Sequence, residues 1–162
     1  MKIKMKLALI RSIGVGTLIL NVFFWAFRKN KPSFPIHFSS TYIKPQNIKF
    51  KRDLVTLKSM AVSSSCYFQA NNGIILGSRC LFAPGVKIIS SNHDLNDINR
   101  KSMPAKSIII GNDVWIGASS IILPEVEIAD RVVIGAGSVV TKSILEKGAI
   151  VAGNPATILQ KE

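Results

Sequence analysis

Two histidines, two cysteines and nine acidic residues are among the groups in this 162-residue chain able to move a proton, attack a carbon or hold a metal. His37 follows Pro35 in a basic stretch, a setting for a solvated or headgroup-facing side chain. His93 is placed differently. It closes the segment I-I-S-S-N-H and stands directly before a polar run, D-L-N-D-I-N-R-K-S-M, from Asp94 to Met103. An imidazole near its reference pKa of about 6.5 can take a proton from a hydroxyl or amine as that group attacks an acyl centre, a contribution of roughly 10²- to 10⁴-fold. A surface histidine at a turn is the alternative, and the repeat context below favours the base. Cys66 and Cys80 sit beside neither histidine and read as reduced thiols in packing roles, which argues against a covalent acyl-enzyme. Asp94, Asp97, Glu125 and Glu127 are carboxylates that could orient His93, but charged groups on a surface are usually solvated, and no role is assigned to them.

The elements that must position His93 follow from an unusual spacing. Ile110, Ile116, Ile122, Ile128, Ile134 and Val140 recur every six residues. Four residues after each lie Val114, Ser120, Val126, Val132, Ser138 and Ile144, so pairs such as Val114 and Ile116 are two apart and share one strand face. A period of six is neither helical nor a plain alternation; it belongs to a hexapeptide solenoid. The pattern continues upstream through Leu76, Phe82 and Ile88, with Phe68, Ile74, Cys80 and Val86 in the companion slots. The series predicts six repeats over 58–93, one at 104–109 and six over 110–145, a little over four coils of three sides. Residues 94–103 are then a polar loop leaving the coil, and an interruption that the repeat does not need is where function is expected. Trp115, between two inward residues, points outward to wall a groove or to meet another subunit.

The net charge is +12, yet it does not suit nucleic acid, because its distribution is one-sided. Residues 1–58 hold twelve Lys and Arg against Asp53 alone, while residues 59–162 are close to neutral. The excess surrounds the apolar stretch Leu7 to Phe27, with Lys2, Lys4 and Lys6 before it and Arg28, Lys29 and Lys31 after it. That arrangement predicts an N-terminal hydrophobic membrane helix that contacts anionic headgroups. Arg11, Ser12 and Asn21 interrupt the stretch, so an interfacial or re-entrant helix competes with a span. Bulky Phe-Trp-Ala-Phe before Arg-Lys offers no small-residue cleavage site, which favours a retained anchor over a signal peptide. More basic residues follow the stretch than precede it, so the solenoid is expected at the cytoplasmic face of the inner membrane. The organisation expected is an anchor at 1–31, a proline-bearing linker and cap at 32–57, and a repeat domain at 58–162.

The segment from Ile108 to Lys142, with Trp-Ile-Gly and Gly-Ala-Gly-Ser in order, followed by V-A-G-N-P-A from Val151 to Ala156, resembles the hexapeptide-repeat acyltransferases, and most of all their sugar O-acetyltransferase branch. The resemblance covers about residues 58–160. It implies an all-β, left-handed parallel β-helix, an exception to the usual crossover hand, assembled as a homotrimer with its active sites between subunits. It implies acetyl-CoA as donor and His93 as the catalytic base. The coenzyme contacts carry over to Ala118, Ala136, Thr141 and Lys142: small residues let the pantetheine reach the backbone amides, and Lys142 meets a phosphate. Two positions depart from the pattern. Thr157 and Gln160 stand where some relatives place basic residues, and Ser63 aligns with the asparagine that positions the acceptor in galactoside acetyltransferases.

The resulting expectation is direct acetyl transfer from acetyl-CoA to a saccharide of a lipid-linked or surface polysaccharide precursor, without a metal. N-acetylation of a nucleotide-linked amino sugar is the near rival. A zinc lyase of the γ-carbonic-anhydrase type, which needs three histidines, and a non-catalytic trimeric scaffold are the rivals from other classes.

Overall fold

A computed structural model of the protein describes residues 3–161. The chain opens with α1, Ile3–Ile13, and α2, Val15–Ala26, two helices bent by 106° at Gly14. Gly14 has φ 85°, in the left-handed region that glycine enters without strain. The one continuous membrane helix expected across Leu7 to Phe27 is therefore not formed. Among the described residues no single helix is long and apolar enough to cross a bilayer.

The next elements are β1 (Thr41–Ile43), β2 (Ile48–Phe50) and α3 (Leu54–Val62). Nine short strands then run from β3 (Tyr67–Gln69) through β4 (Ile74–Leu76), β5 (Leu81–Phe82), β6 (Lys87–Ile89), β7 (Ile108–Ile110), β8 (Trp115–Ile116), β9 (Ile121–Ile122), β10 (Glu127–Ile128) and β11 (Val133–Ile134). β12 (Val139–Val140), β13 (Ile150–Gly153) and β14 (Ala156–Gln160) complete the chain. They form three sheets, ordered β1-β3-β6-β9-β12, β10-β7-β4-β2 and β14-β13-β11-β8-β5. Every pairing is parallel except the closing β13–β14 hairpin. Each strand thus pairs with the strand one turn away: Phe82 lies against Ile116, Ile116 against Ile134, and Ile134 against Val151. This is a parallel β-helix with three sides.

Its core is the column of residues that the period of six points inward. Phe68, Ile88, Ile116, Ile122 and Ile134 are all at most 1% exposed, as are the companions Val86, Val114 and Val132. Ser120 and Ser138 occupy companion slots without leaving an unpaired hydroxyl, because both donate to the Gly135 carbonyl, at 2.9 and 2.6 Å.

The coil starts earlier than the repeats predict. β1 and β2, inside the stretch expected as linker, pair in parallel with β3 and β4 and form the first turn. Residues 58–62, most of the expected first repeat at 58–63, belong instead to α3, which takes the place of that turn's third side. α3 closes the exposed edge of the third sheet with its own hydroxyls. Thr56 Oγ1 accepts from the Cys80 amide at 3.0 Å, and Ser59 Oγ accepts from the Phe82 amide at 2.6 Å. A hydrophobic edge that would otherwise template further pairing is thereby capped. Residues 104–109 do not make a side of their own, since Ile108 and Ile110 are the two inward residues of the single strand β7. The departure from the coil consequently runs past Met103 to the start of β7. With β1 and β2 added, the helix makes five turns rather than a little over four.

Candidate active site

His93 lies where the chain leaves the first sheet after β6. The loop turns back on itself: His93 and Ser102 form an antiparallel bridge, Asp94 N–H donates to the Lys101 carbonyl at 2.9 Å, and Met103 N–H donates to the Asn92 carbonyl at 2.8 Å. The imidazole is exposed in the single chain. Its Nδ1 makes a short hydrogen bond to the backbone carbonyl of Arg100. A carbonyl only accepts, so Nδ1 carries the proton and Nε2 is left with a free lone pair. That is the tautomer a general base needs.

The four carboxylates considered as partners of His93 make their hydrogen bonds elsewhere. Asp94 accepts from the Asn96 amide at 2.8 Å, Asp97 from the Asn99 amide at 2.8 Å, and Glu125 from the Lys106 amide at 3.2 Å. Asp97 also pairs with Lys101 at 3.2 Å, and the Glu127 amide donates to the Ser143 hydroxyl oxygen at 3.0 Å. The group that orients His93 is the Arg100 carbonyl, held by a residue at φ 49°. Sequence reasoning missed it because a backbone carbonyl carries no residue-type signal.

The four residues expected to contact the coenzyme fall into two sets. Ala118 and Ala136 stack on successive turns at the corner between the third and first sheets. There the Gly137 amide donates to the Ala118 carbonyl at 2.8 Å, and both methyls are exposed. Thr141 and Lys142 follow β12 at the opposite edge of the first sheet, the same edge that carries His93 two turns earlier. At about 3.3 Å per residue, the five residues from Ala136 to Thr141 separate the two edges by up to roughly 16 Å. One protomer therefore places His93 and Lys142 together along one edge and Ala118 and Ala136 along another. Beyond Lys142 opens a groove of about 520 Å³, walled by Ile144, Glu146, Val151, Ala156 and Ile158.

A second groove, about 470 Å³ and mainly apolar, lies between α1, α3 and β5; Ser12, Lys58, Val62, Ser63 and Leu81 line it. Ser63 is 5% exposed and gives its hydroxyl to the Phe82 carbonyl. The contribution of α1 to this wall was not legible in the sequence. Trp115 is 52% exposed on the outer face of the third sheet, between Leu81 and Val133.

Both cysteines are buried, and burial pushes each thiol up, Cys80 to about 12. Neither is a nucleophile in this state. Among the described residues no group of three His, Cys, Asp or Glu side chains lies close enough to hold a metal ion.

The six-residue period and its three-sided coil now have a counterpart among known proteins. Residues 107–142 match the family model described as bacterial transferase hexapeptide, six repeats. Over these residues the chain carries the repeat of that family. The galactoside O-acetyltransferase of Escherichia coli K12 is 39% identical over 90 residues, 54% of this chain and 44% of that one. A probable macrolide acetyltransferase of Lysinibacillus sphaericus is 36% identical over 108 residues, 54% of this chain and 59% of that one. A chloramphenicol acetyltransferase of Agrobacterium fabrum is 49% identical over 59 residues, 36% of this chain and 28% of that one. The chain thus spans between 28% and 59% of the length of these relatives. Among solved structures, a galactoside acetyltransferase in complex with coenzyme A superposes with a TM-score of 0.63 at 23% identity, over 92% of this chain and 84% of that one. That likeness shows the shared fold, the left-handed β-helix that the motifs implied. The polySia-specific acetyltransferase NeuO superposes with a TM-score of 0.53 at 32% identity, over 61% of this chain and 44% of that one.

Proposed function

We propose that this protein is an acetyl-CoA-dependent O-acetyltransferase of saccharides, with His93 as general base. The observation that carries the reading is the Nδ1 bond to the Arg100 carbonyl, which leaves Nε2 as a free acceptor on the sheet edge it shares with Lys142. The relatives support the reaction class: they are named for acetyl transfer, one to galactosides and one to polySia. The acceptor hydroxyl gives its proton to Nε2 as its oxygen attacks the thioester carbonyl carbon. The carbon–sulfur bond then breaks, and the thiolate leaves with the proton returned from the imidazolium. Proximity and the fixed tautomer supply the rate, and no acyl-enzyme forms.

Ala118 and Ala136 hold the pantetheine against the corner backbone, and Thr141 and Lys142 take its polar and phosphate groups. Because these sets occupy opposite edges of one sheet, the site is completed when an edge of one protomer meets the other edge of a second. A homotrimer achieves this with three equivalent sites. The acceptor is a saccharide carried on a membrane lipid at the cytoplasmic face, since the basic-flanked apolar helices hold the enzyme where such substrates are concentrated.

The test is thiol release with acetyl-CoA and three acceptors: a galactoside, a lipid-linked oligosaccharide and a nucleotide-linked amino sugar. O-acetylation of a saccharide is expected, with the lipid-linked one preferred, and His93→Ala should lose about 10²- to 10⁴-fold in kcat while still binding coenzyme A. Acetylation of the amine alone would replace this reading with the N-transfer one. Full turnover in His93→Ala would remove the base.

A further inference from the structure

The two N-terminal helices carry a surface that the β-helix does not cover. On their inner side Leu9, Ile13 and Asn21 are 5%, 8% and 8% exposed and face the solenoid. On the outer side Leu7, Ile10, Val15, Ile19, Phe23 and Phe27 are between 45% and 76% exposed. An apolar face this continuous on a protein surface marks an interaction site. Around it stand exposed Lys4, Lys6, Arg11, Lys29 and Lys31, and no described acidic residue precedes Asp53. The Lys31 ammonium lies 5.0 Å from the centre of the Trp25 ring, and the Trp25 indole donates to the Pro32 carbonyl at 3.2 Å. An aromatic ring with a cation above it at the end of an apolar helix is the chemistry of a bilayer interface.

The geometry also decides how such a face meets a bilayer. α2 has twelve residues, about 18 Å at 1.5 Å each, against a hydrocarbon core of roughly 30 Å. α1 brings three cations into its eleven residues. The pair cannot straighten into one span without leaving the solenoid, because Asn21 fastens it there. Its amide donates to the Ala61 carbonyl at 2.9 Å, and its carbonyl accepts from the Phe38 amide at 2.7 Å. The asparagine that interrupts the apolar stretch is thus the clamp that keeps α2 flat on the cap of the coil.

We infer that α1 and α2 form an in-plane wedge that docks on an anionic phospholipid surface, with the apolar faces sunk into the acyl boundary and the lysines among the headgroups, and that they do not cross the bilayer. The inference deepens the membrane part of the function proposed above, and its test reads attachment without any turnover. If it failed, acetyl transfer to a soluble galactoside would be unaffected.

The experiment is co-flotation of the full chain with preformed vesicles of phosphatidylcholine alone and of phosphatidylcholine with phosphatidylglycerol. Binding to the anionic vesicles is expected to be more than about tenfold stronger and to weaken in high salt. Phe23→Asp with Phe27→Asp should abolish flotation at unchanged melting temperature, since both rings are exposed. Lys4→Cys and Lys31→Cys, placed on either side of the bend, should both react with an impermeant maleimide on bound vesicles. Protection of one position would mean a span and overturn the in-plane mode. Absence of flotation would overturn the docking surface. A double variant that still floats but drops to a smaller oligomer would assign the face to a second copy of the chain.

Discussion

Replacing Gly117 with alanine tests the stacking of the coil and the proposed coenzyme edge at once. Gly117 follows β8 at the corner where Ala118 is exposed. A Cβ built there would meet the Ala136 nitrogen at 2.6 Å, the Ile134 oxygen at 2.7 Å and the Gly135 carbonyl carbon at 2.9 Å. All three are backbone atoms of the next turn, so no side chain can swing away. Relief requires the two turns to part locally by roughly 0.7 Å, in a structure whose strands sit about 4.8 Å apart. Overpacking of this kind costs about 1–3 kcal/mol. The Gly117 to Ile134 and Gly137 to Ala118 hydrogen bonds, both 2.8 Å, bridge the same gap, and weakening them adds about 1 kcal/mol. At about 2–4 °C per kcal/mol for a chain of this size, the melting temperature falls by roughly 4–16 °C. The same displacement moves Ala118 against Ala136, so coenzyme A binding by calorimetry weakens while His93 and its loop stay in place. Gly16→Ala is the control: nothing lies within 4 Å of its Cβ and it sits inside α2, so it should stabilise by about 0.5–1 kcal/mol. A Gly117→Ala protein that melts where the wild type does would refute the reasoning, because it would show that adjoining turns are not in backbone contact at this corner.

Three further outcomes follow from single groups. Burial alone would raise the Asp53 carboxyl, but the Thr56 and Arg79 amides and the Thr56 hydroxyl hold it below the ordinary carboxylate value; Asp53→Ala should therefore cost about 1 kcal/mol of cap stability near neutral pH. That contribution is present above the ordinary carboxylate range and is lost as pH falls through the lowered folded value, so urea melts of variant and wild type should converge in acid. With Cys80 pushed up to about 12 and Cys66 also raised by burial, iodoacetamide at pH 8 should leave both thiols of the native protein unmodified by mass spectrometry and alkylate both in urea. The buried Tyr42 hydroxyl has no hydrogen-bond partner among the described residues, so Tyr42→Phe should hold or raise the melting temperature, by about 2–4 °C if the full penalty of roughly 1 kcal/mol is relieved.

What was legible in the sequence was whatever a local period could encode. From Ile108 to Ile144 every inward position was readable, because one residue pair per side is enough to mark a turn of the coil, and the loop after His93 was readable as the place where the period fails. The first turn was not. β1 and β2 bury Tyr42 and Ile48, six residues apart, but α3 intervenes before the next turn, so Ile48 is out of step with its partner Ile74 in the series that follows, and a proline-bearing stretch read as linker. α3 was mistaken for a repeat because Leu57, Met60 and Ala61, buried on one helical face, also supply apolar residues at intervals near those of the solenoid. What distinguishes the helix is its cap at Asp53 and the hydroxyls of Thr56 and Ser59, polar groups whose purpose appears only when the unpaired edge of β5 lies beside them.

The same reason explains the two functional features that sequence alone left undecided. His93 is oriented by the Arg100 carbonyl, and α2 is fastened by Asn21; in each case the decisive partner is backbone brought near by tertiary folding. A side-chain pattern announces which groups are available for chemistry, here one imidazole at the break in a repeat. Which nitrogen of it is free, and whether an apolar helix lies along a surface or threads it, depends on where main-chain carbonyls and amides arrive. The loop after His93 and the clamp at Asn21 are therefore the places where substitutions of neighbouring residues that alter no catalytic side chain should still change function, by moving a carbonyl rather than removing a group.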